Sequence, residues 1–164
     1  MTNKRVLYLT QAAMIAALYV ILTHLSNLFG LANGAIQVRV SEALTILPFF
    51  TPAAIPGLAV GCFLSNFLTG CAALDIIFGT LATLLGALGS YYLRRYKYLV
   101  VLPPILANTI IVPFVLKAAY VDVKDSIPYL MATVGAGEVI SAGILGTMLL
   151  LALLPYKKVI FKSN

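Results

Sequence analysis

The chain has 164 residues, of which 62% are hydrophobic and 10% charged. Soluble domains carry about 25% charged residues and need a polar surface around whatever core they bury. This composition excludes an ordinary soluble domain, and its apolar content excludes disorder. An integral membrane protein built of helices remains. The net charge of +6 does not point to nucleic acid, because the basic residues stand in small groups at the ends of apolar runs.

Lys4 and Arg5 precede a first apolar span, 6–28. It is too long for a signal-peptide core, and Ala32 to Ala35 make a poor cleavage site, so it reads as a transmembrane helix. Phe29-Gly30-Leu31-Ala32-Asn33-Gly34 ends it as a loop. A second segment, 38–50, would cover roughly 20 Å against a hydrocarbon core of ~30 Å. It is either a short tilted helix shielded by neighbours or a partial span. Thr51-Pro52 and Pro56 mark the turn after it.

Spans 54–70 and 74–93 follow, then Arg94-Arg95-Tyr96-Lys97. The fifth span, 99–118, contains Pro103, Pro104 and Pro113, so it is bent or starts late, near Pro103. Lys117 to Ser126 is the most polar stretch, and the sixth span, 127–154, exceeds a perpendicular crossing. The expected fold is a single all-α membrane domain, a compact bundle of six transmembrane helices with the second one short.

With six crossings both termini share one side. That side holds Lys4, Arg5, Arg94, Arg95, Lys97, Lys157, Lys158 and Lys162, and the other holds Arg39, Lys117 and Lys124. The basic excess belongs in the cytoplasm, so the termini are expected there. Without a crossing by segment 38–50, the 94–97 group would lie opposite the N-terminus, so the charge split favours a full crossing.

Several chemistries find no residues. There is no P-loop, no HExxH and no GxSxG, and His24 is the sole histidine. Cys62 and Cys71 would stand roughly 13 Å apart on one helix and read as packing residues. Of the five acids, Glu42, Asp75, Asp122, Asp125 and Glu138, only Glu138 lies well inside an apolar run. A proton pump would carry a relay, so both pump and membrane enzyme are weakened.

Polar groups in lipid need a reason. Glu138 lies about eleven residues into its span, roughly 16 Å deep, on a face with Val134, Gly135, Ser141, Ala142 and Leu145. It contacts a ligand or pairs with a neighbouring helix. Asn108 and Asn66 are either ligand contacts or interhelical glue. Asp75 stands where it would cap the fourth helix. Arg39 and Glu42 either pair locally or offer a charged rim to a solute. Tyr120, Tyr129 and Phe114 read as an aromatic belt, and His24 as interfacial. Glu42, Asn66, Asp75 and Glu138 lie in the outer part of the bilayer and Asn108 near its middle, which predicts a pocket open outward and closed below. Ala12-x-x-x-Ala16 and Ala13-x-x-x-Ala17 offer small faces for a partner helix or for packing within the chain. Gly57-x-x-x-Gly61, and Gly79, Ala82, Gly86 and Gly89, read as internal packing faces.

The run Gln37-Val38-Arg39-Val40-Ser41-Glu42-Ala43-Leu44, followed by Leu47-Pro48 and the Gly/Pro-rich third span, resembles the queuosine-precursor transporter family (QueT) over nearly the whole chain. Members look like substrate-binding S components of energy-coupling factor (ECF) importers. The resemblance implies a multi-pass protein of a bacterial cell membrane, not an enzyme, that captures a 7-deazaguanine such as preQ0 or preQ1 outside the cell. It implies no cofactor on this chain, and ATP on two ATPase partners that act with a membrane coupling subunit. Glu138, then Glu42, is the candidate for the ligand's paired N–H donors, and Asn66 and Asn108 for its carbonyl and ring nitrogen. Asp75 or the remaining acid would meet an aminomethyl cation, Arg39 would stand at the rim, and Ala12, Ala13, Ala16 and Ala17 would dock the coupling subunit. The alternatives are an S component for another vitamin-like solute, or a small intramembrane enzyme or structural subunit.

Overall fold

The computed structural model describes residues 4–31, 36–120 and 122–161. Lys162 and the loop residues Ala32, Asn33, Gly34 and Ala35 lie outside the described residues. Every described element is helical. The first helix, α1 (Lys4–Leu28), is followed by a 3-10 segment (Val40–Phe49), then α2 (Ala54–Leu68), α3 (Ala73–Tyr92) and α4 (Leu102–Ala119). The last membrane-length element begins as α5 (Ile127–Glu138), continues as a π segment (Val139–Leu145) and ends as α6 (Gly146–Leu153).

Four elements are long and apolar enough to cross a bilayer: Lys4–Leu28, Ala73–Tyr92, Leu102–Ala119 and Ile127–Tyr156. The 3-10 segment and α2 are shorter apolar helices packed among them. The chain is thus an all-α multi-pass membrane protein. Hydroxyls on these helices bond back to their own carbonyls, as Thr10 does to Val6, Thr23 to Tyr19 and Thr80 to Ile76, so lipid meets few free donors.

The second apolar segment is a 3-10 helix of ten residues, and every side chain from Ser41 to Pro48 is buried. Such long 3-10 runs are uncommon, so the surroundings hold it. It runs against α1. The Val40 N–H donates to Ser26 Oγ and Thr23 Oγ1 to Ser41 Oγ, both at 2.9 Å, and Tyr19 donates to Glu42. At the far end Thr51 Oγ1 donates to Gln11 Oε1 at 2.9 Å. Ser26 and Gln11 lie about 22 Å apart along α1, so this segment traverses most of the bundle.

The same contacts define two ends. Phe50 stacks on Phe161 at 4.9 Å and Lys157 stands over the Phe49 ring, which places the C-terminal turn beside the start of α1. The apolar core gathers there, around Ile46, Leu47, Phe50, Leu58, Val100, Leu150 and Phe161. The opposite end carries Gly30 and Gly70, both at positive φ, where α1 and α2 stop. Each closes a Schellman turn, with Leu31 N–H on Ser26 O and Cys71 N–H on Asn66 O.

The fifth span starts at Leu102, with Pro103 and Pro104 in its first turn, as the prolines predict. Those rings lie against Gly89 and Gly86 of α3. The π segment had no signature in the sequence.

The alanine faces of α1 divide. Ala12 and Ala16 abut Gly57 and Gly61 of α2, where an added Cβ would stand 2.7 Å from Ala12 O and 3.0 Å from Ala16 O. Ala12 and Ala16 thus pack against α2 within the chain, one of the two roles open to that strip. Ala13 and Ala17 remain exposed. Gly61→Val should therefore cost about 1–3 kcal/mol of stability, read as a lowered unfolding temperature in detergent, while the exposed Ala17→Val should leave it near wild type.

Candidate functional site

A cavity of about 910 Å³ opens at the end that carries Gly30 and Gly70. The ends of the helices line it: Thr23 and Asn27 from α1, Asn66 from α2 with Thr69 just after it, Asp75 from α3, Leu116 and Ala119 from α4, Tyr129 and Thr133 from α5. Loop residues Gln37, Arg39, Cys71, Tyr120, Asp122 and Asp125 complete the wall. Beneath it lies a narrow chamber of about 30 Å³. Gln37, Arg39 and Val134 line both spaces.

The floor of the chamber is polar. Asn108 Nδ2 donates to Glu138 Oε1 at 3.0 Å and makes a longer contact with Glu42 Oε2 at 3.5 Å. Tyr19 donates its phenol proton to the other Glu42 oxygen. Glu42, Asn108 and Glu138 are all buried, and among the described residues Glu138 Oε2 finds no hydrogen-bond partner. The orphan matters because buried carboxylate oxygens are costly unless a donor reaches them.

Asn66 is buried in the wall of the wide cavity and, among the described residues, its side chain donates only to Cys62 Sγ, at 3.6 Å. Cys62 also accepts from Thr83 at 3.3 Å, so the thiol serves as a packed acceptor. Asp75 is buried in the first turn of α3 but makes no capping bond there. Its Oδ2 accepts from the Tyr120 phenol at 3.2 Å, and that phenol oxygen accepts the Ala72 N–H at 3.1 Å. Burial pushes the Tyr120 phenol pKa up, which keeps its proton on the bond to Asp75.

The structure thus brings all six predicted binding residues to the two spaces: Arg39, Asn66 and Asp75 at the mouth, and Glu42, Asn108 and Glu138, again with Arg39, at the floor. Three readings change. Among the described residues Glu42 forms no ion pair with Arg39; it turns inward to Tyr19 and Asn108. Asp75 is a cavity wall and not a hydrogen-bonding cap. Tyr120 and Tyr129 line the cavity and are not simply a belt, whereas Phe114 is exposed and keeps that role. Sequence reasoning missed Tyr19 and Gln37. A tyrosine inside an apolar span was the available sign of Tyr19. Gln37 had none beyond its place ahead of Arg39.

Gln37 is held by Gly137. A Cβ at Gly137 would overlap the Gln37 carbonyl oxygen, so only glycine lets the 37–39 backbone lie on α5 beside Glu138. Gly143, one turn and a half further on, would meet only ordinary contacts, the nearest at 3.6 Å from Ile105 Cδ1. Gly137→Ala should lower the unfolding temperature in detergent, whereas Gly143→Ala should hold or raise it, because alanine favours a helix by about 1 kcal/mol.

Comparison with known proteins bears on this site. The family model described as QueT transporter matches residues 9–155. A curated relative, the queuosine precursor transporter QueT of Lactococcus lactis subsp. cremoris (strain MG1363), is 43% identical over 86 residues, which are 52% of this chain and 50% of the relative. The match thus spans about half the length of that relative. No solved structure matches.

Proposed function

This chain belongs to the QueT transporter family, and we propose that it is the S component of an ECF importer, capturing a queuosine precursor of the 7-deazaguanine class. The orphaned Glu138 Oε2 carries the reading. A buried acceptor without a donor costs about 1–3 kcal/mol, and more when charged. A deazaguanine edge offers a ring N–H beside an exocyclic amine, and a carboxylate accepts from both. Asn108 already steadies Oε1, so Glu138 is pre-set to receive that edge. Asn66 in the wide cavity and Arg39, which lines both spaces, stand ready for the ring carbonyl. The relative's name supports the same ligand class.

The end of the bundle carrying Lys4, Arg5, Arg94, Arg95, Lys97 and Lys157 is cytoplasmic in this reading, and the cavity faces outward. All six apolar elements then count as crossings. The chain binds no cofactor of its own. A membrane coupling subunit with two ATPases supplies the energy, and the exposed Ala13 and Ala17 form the strip on which that subunit docks.

Isothermal titration of the purified chain with a deazaguanine tests the site. Glu138→Gln should weaken binding on the order of a hundredfold, since it replaces an acceptor with an amide donor facing the ligand's N–H groups. Unchanged affinity would remove Glu138 from the site. In liposomes the chain alone should bind ligand but show no uphill accumulation; ATP-independent accumulation would overturn the division of labour.

A further inference from the structure

Among the described residues, the end of the bundle away from the cavity carries no acidic side chain. All five carboxylates, Glu42, Asp75, Asp122, Asp125 and Glu138, line the two joined spaces. At the far end Lys4 and Arg5 open α1, and Lys157 stands in the C-terminal turn. Arg94, Arg95 and Lys97 crowd into the turn between α3 and α4. These three are exposed, and among the described residues none of them pairs with a carboxylate.

The turn that carries them is held in shape. The Tyr96 N–H donates to Leu93 O at 2.8 Å and the Leu99 N–H to Tyr96 O at 2.9 Å. Ser90 Oγ donates to Val100 O at 2.6 Å in a buried bond, and Val100 and Val101 enter the apolar core. Pro103 and Pro104 lie against Gly89 and Gly86, which fixes the two helices on either side. Arg94 Cζ stands 4.0 Å from the centroid of the Tyr91 ring, and Lys97 Nζ 4.7 Å from that of Tyr98. A guanidinium laid on a ring keeps the N–H groups of its edge for a bidentate acceptor such as phosphate.

Position and charge decide the occupant. Both α3 and α4 are long enough to cross a bilayer, so the turn joining them lies at the depth of the lipid headgroups. Exposed Tyr92, Tyr96 and Tyr98 interleave with the three cations, and tyrosine is the side chain that such an interface favours. Exposed Leu81 and Leu85 on α3, and Leu102 and Leu106 on α4, give acyl chains an apolar surface near the turn. A zwitterionic headgroup would bring its ammonium among three cations with no carboxylate to receive it, whereas an anionic headgroup brings only charge that they attract. We infer that the turn spanning 92–98 is a binding site for an anionic phospholipid. Arg94, Arg95 and Lys97 take its phosphate, and its tails lie along α3 and α4. The site is separate from the solute cavity, which opens at the opposite end of the bundle.

The test is native mass spectrometry of the purified full chain in detergent, titrated with phosphatidylglycerol or with phosphatidylcholine of the same acyl chains. Wild type should bind phosphatidylglycerol on the order of a hundredfold more tightly, three cations at about fivefold each. A triple variant, Arg94→Gln with Arg95→Gln and Lys97→Gln, should reduce that preference to about twofold. Lys124→Gln, exposed at the cavity end, should keep it. Because the three replaced side chains are exposed, the triple variant should unfold near the wild-type temperature in detergent without added lipid. Equal wild-type affinities for the two lipids, a preference that the triple variant retains, or one that Lys124→Gln loses as fully would overturn the inference. Equal affinities joined to loss of ATPase-partner capture by the triple variant would assign the turn to a protein surface and overturn it as well. The wild-type comparison does not depend on any variant folding.

Discussion

Two carboxylates buried in an apolar bundle are the constraint around which this molecule is organised. Glu42 comes from the 3-10 segment and Glu138 from the last helix, and the Asn108 amide lies between them. A buried carboxylate without donors is penalised heavily, and like charges side by side add to that penalty. The Tyr19 phenol answers one Glu42 oxygen, and Asn108 is shared between the two acids. Three helices and the buried segment are thus tied at one depth. The bill is not fully met, since Glu138 Oε2 keeps no partner among the described residues. A packing network would tend to close such a gap, whereas a binding site keeps one open for its ligand.

Placing those groups demands close backbone approach, and glycines supply it. Gly137 lets the Gln37 carbonyl rest on α5, which brings Arg39 to the boundary of the two spaces. Gly57 and Gly61 let α2 lie on α1, which fixes Tyr19 beside them. The 3-10 segment, too short in residues for an ordinary crossing, gains length from its steeper rise of about 2.0 Å per residue. It delivers Glu42 to the floor with no lipid contact along its centre.

The architecture was legible in the sequence to a large extent because lipid leaves the backbone few choices. Runs of apolar residues marked the helices, and Pro103 and Pro104 marked the late start of α4. Charge and burial cost singled out Glu138, Asn108 and Asn66, and all three reach the cavities. What failed to show was anything set by tertiary contact. Ala12 and Ala16 share a motif with Ala13 and Ala17, and only the position of Gly57 and Gly61 decides which pair faces inward. The Tyr19–Glu42 and Tyr120–Asp75 bonds join residues 23 and 45 positions apart, and no local pattern encodes such a pairing. The π segment after Glu138 is equally silent in the sequence.

The two ends of the bundle are unlike, and that asymmetry bears on mechanism. The mouth gathers hydroxyls, amides and carboxylates around a wide cavity, while the opposite end is filled by Ile46, Leu47, Phe50, Leu58, Leu150 and Phe161. A close-packed apolar plug deforms little, because its side chains have few voids to move into. Under the proposed function a ligand seated on Glu138 therefore has no route through the plug. Rearranging that core would break the Phe50–Phe161 stack and the Thr51–Gln11 bond, which join the 3-10 segment to both termini. Moving the whole bundle leaves those contacts intact and requires only that its lipid-facing and partner-facing surfaces change neighbours. Under the proposed function, then, motion of the intact body is the course that spares those contacts, with the force for it supplied by the proposed partner subunits.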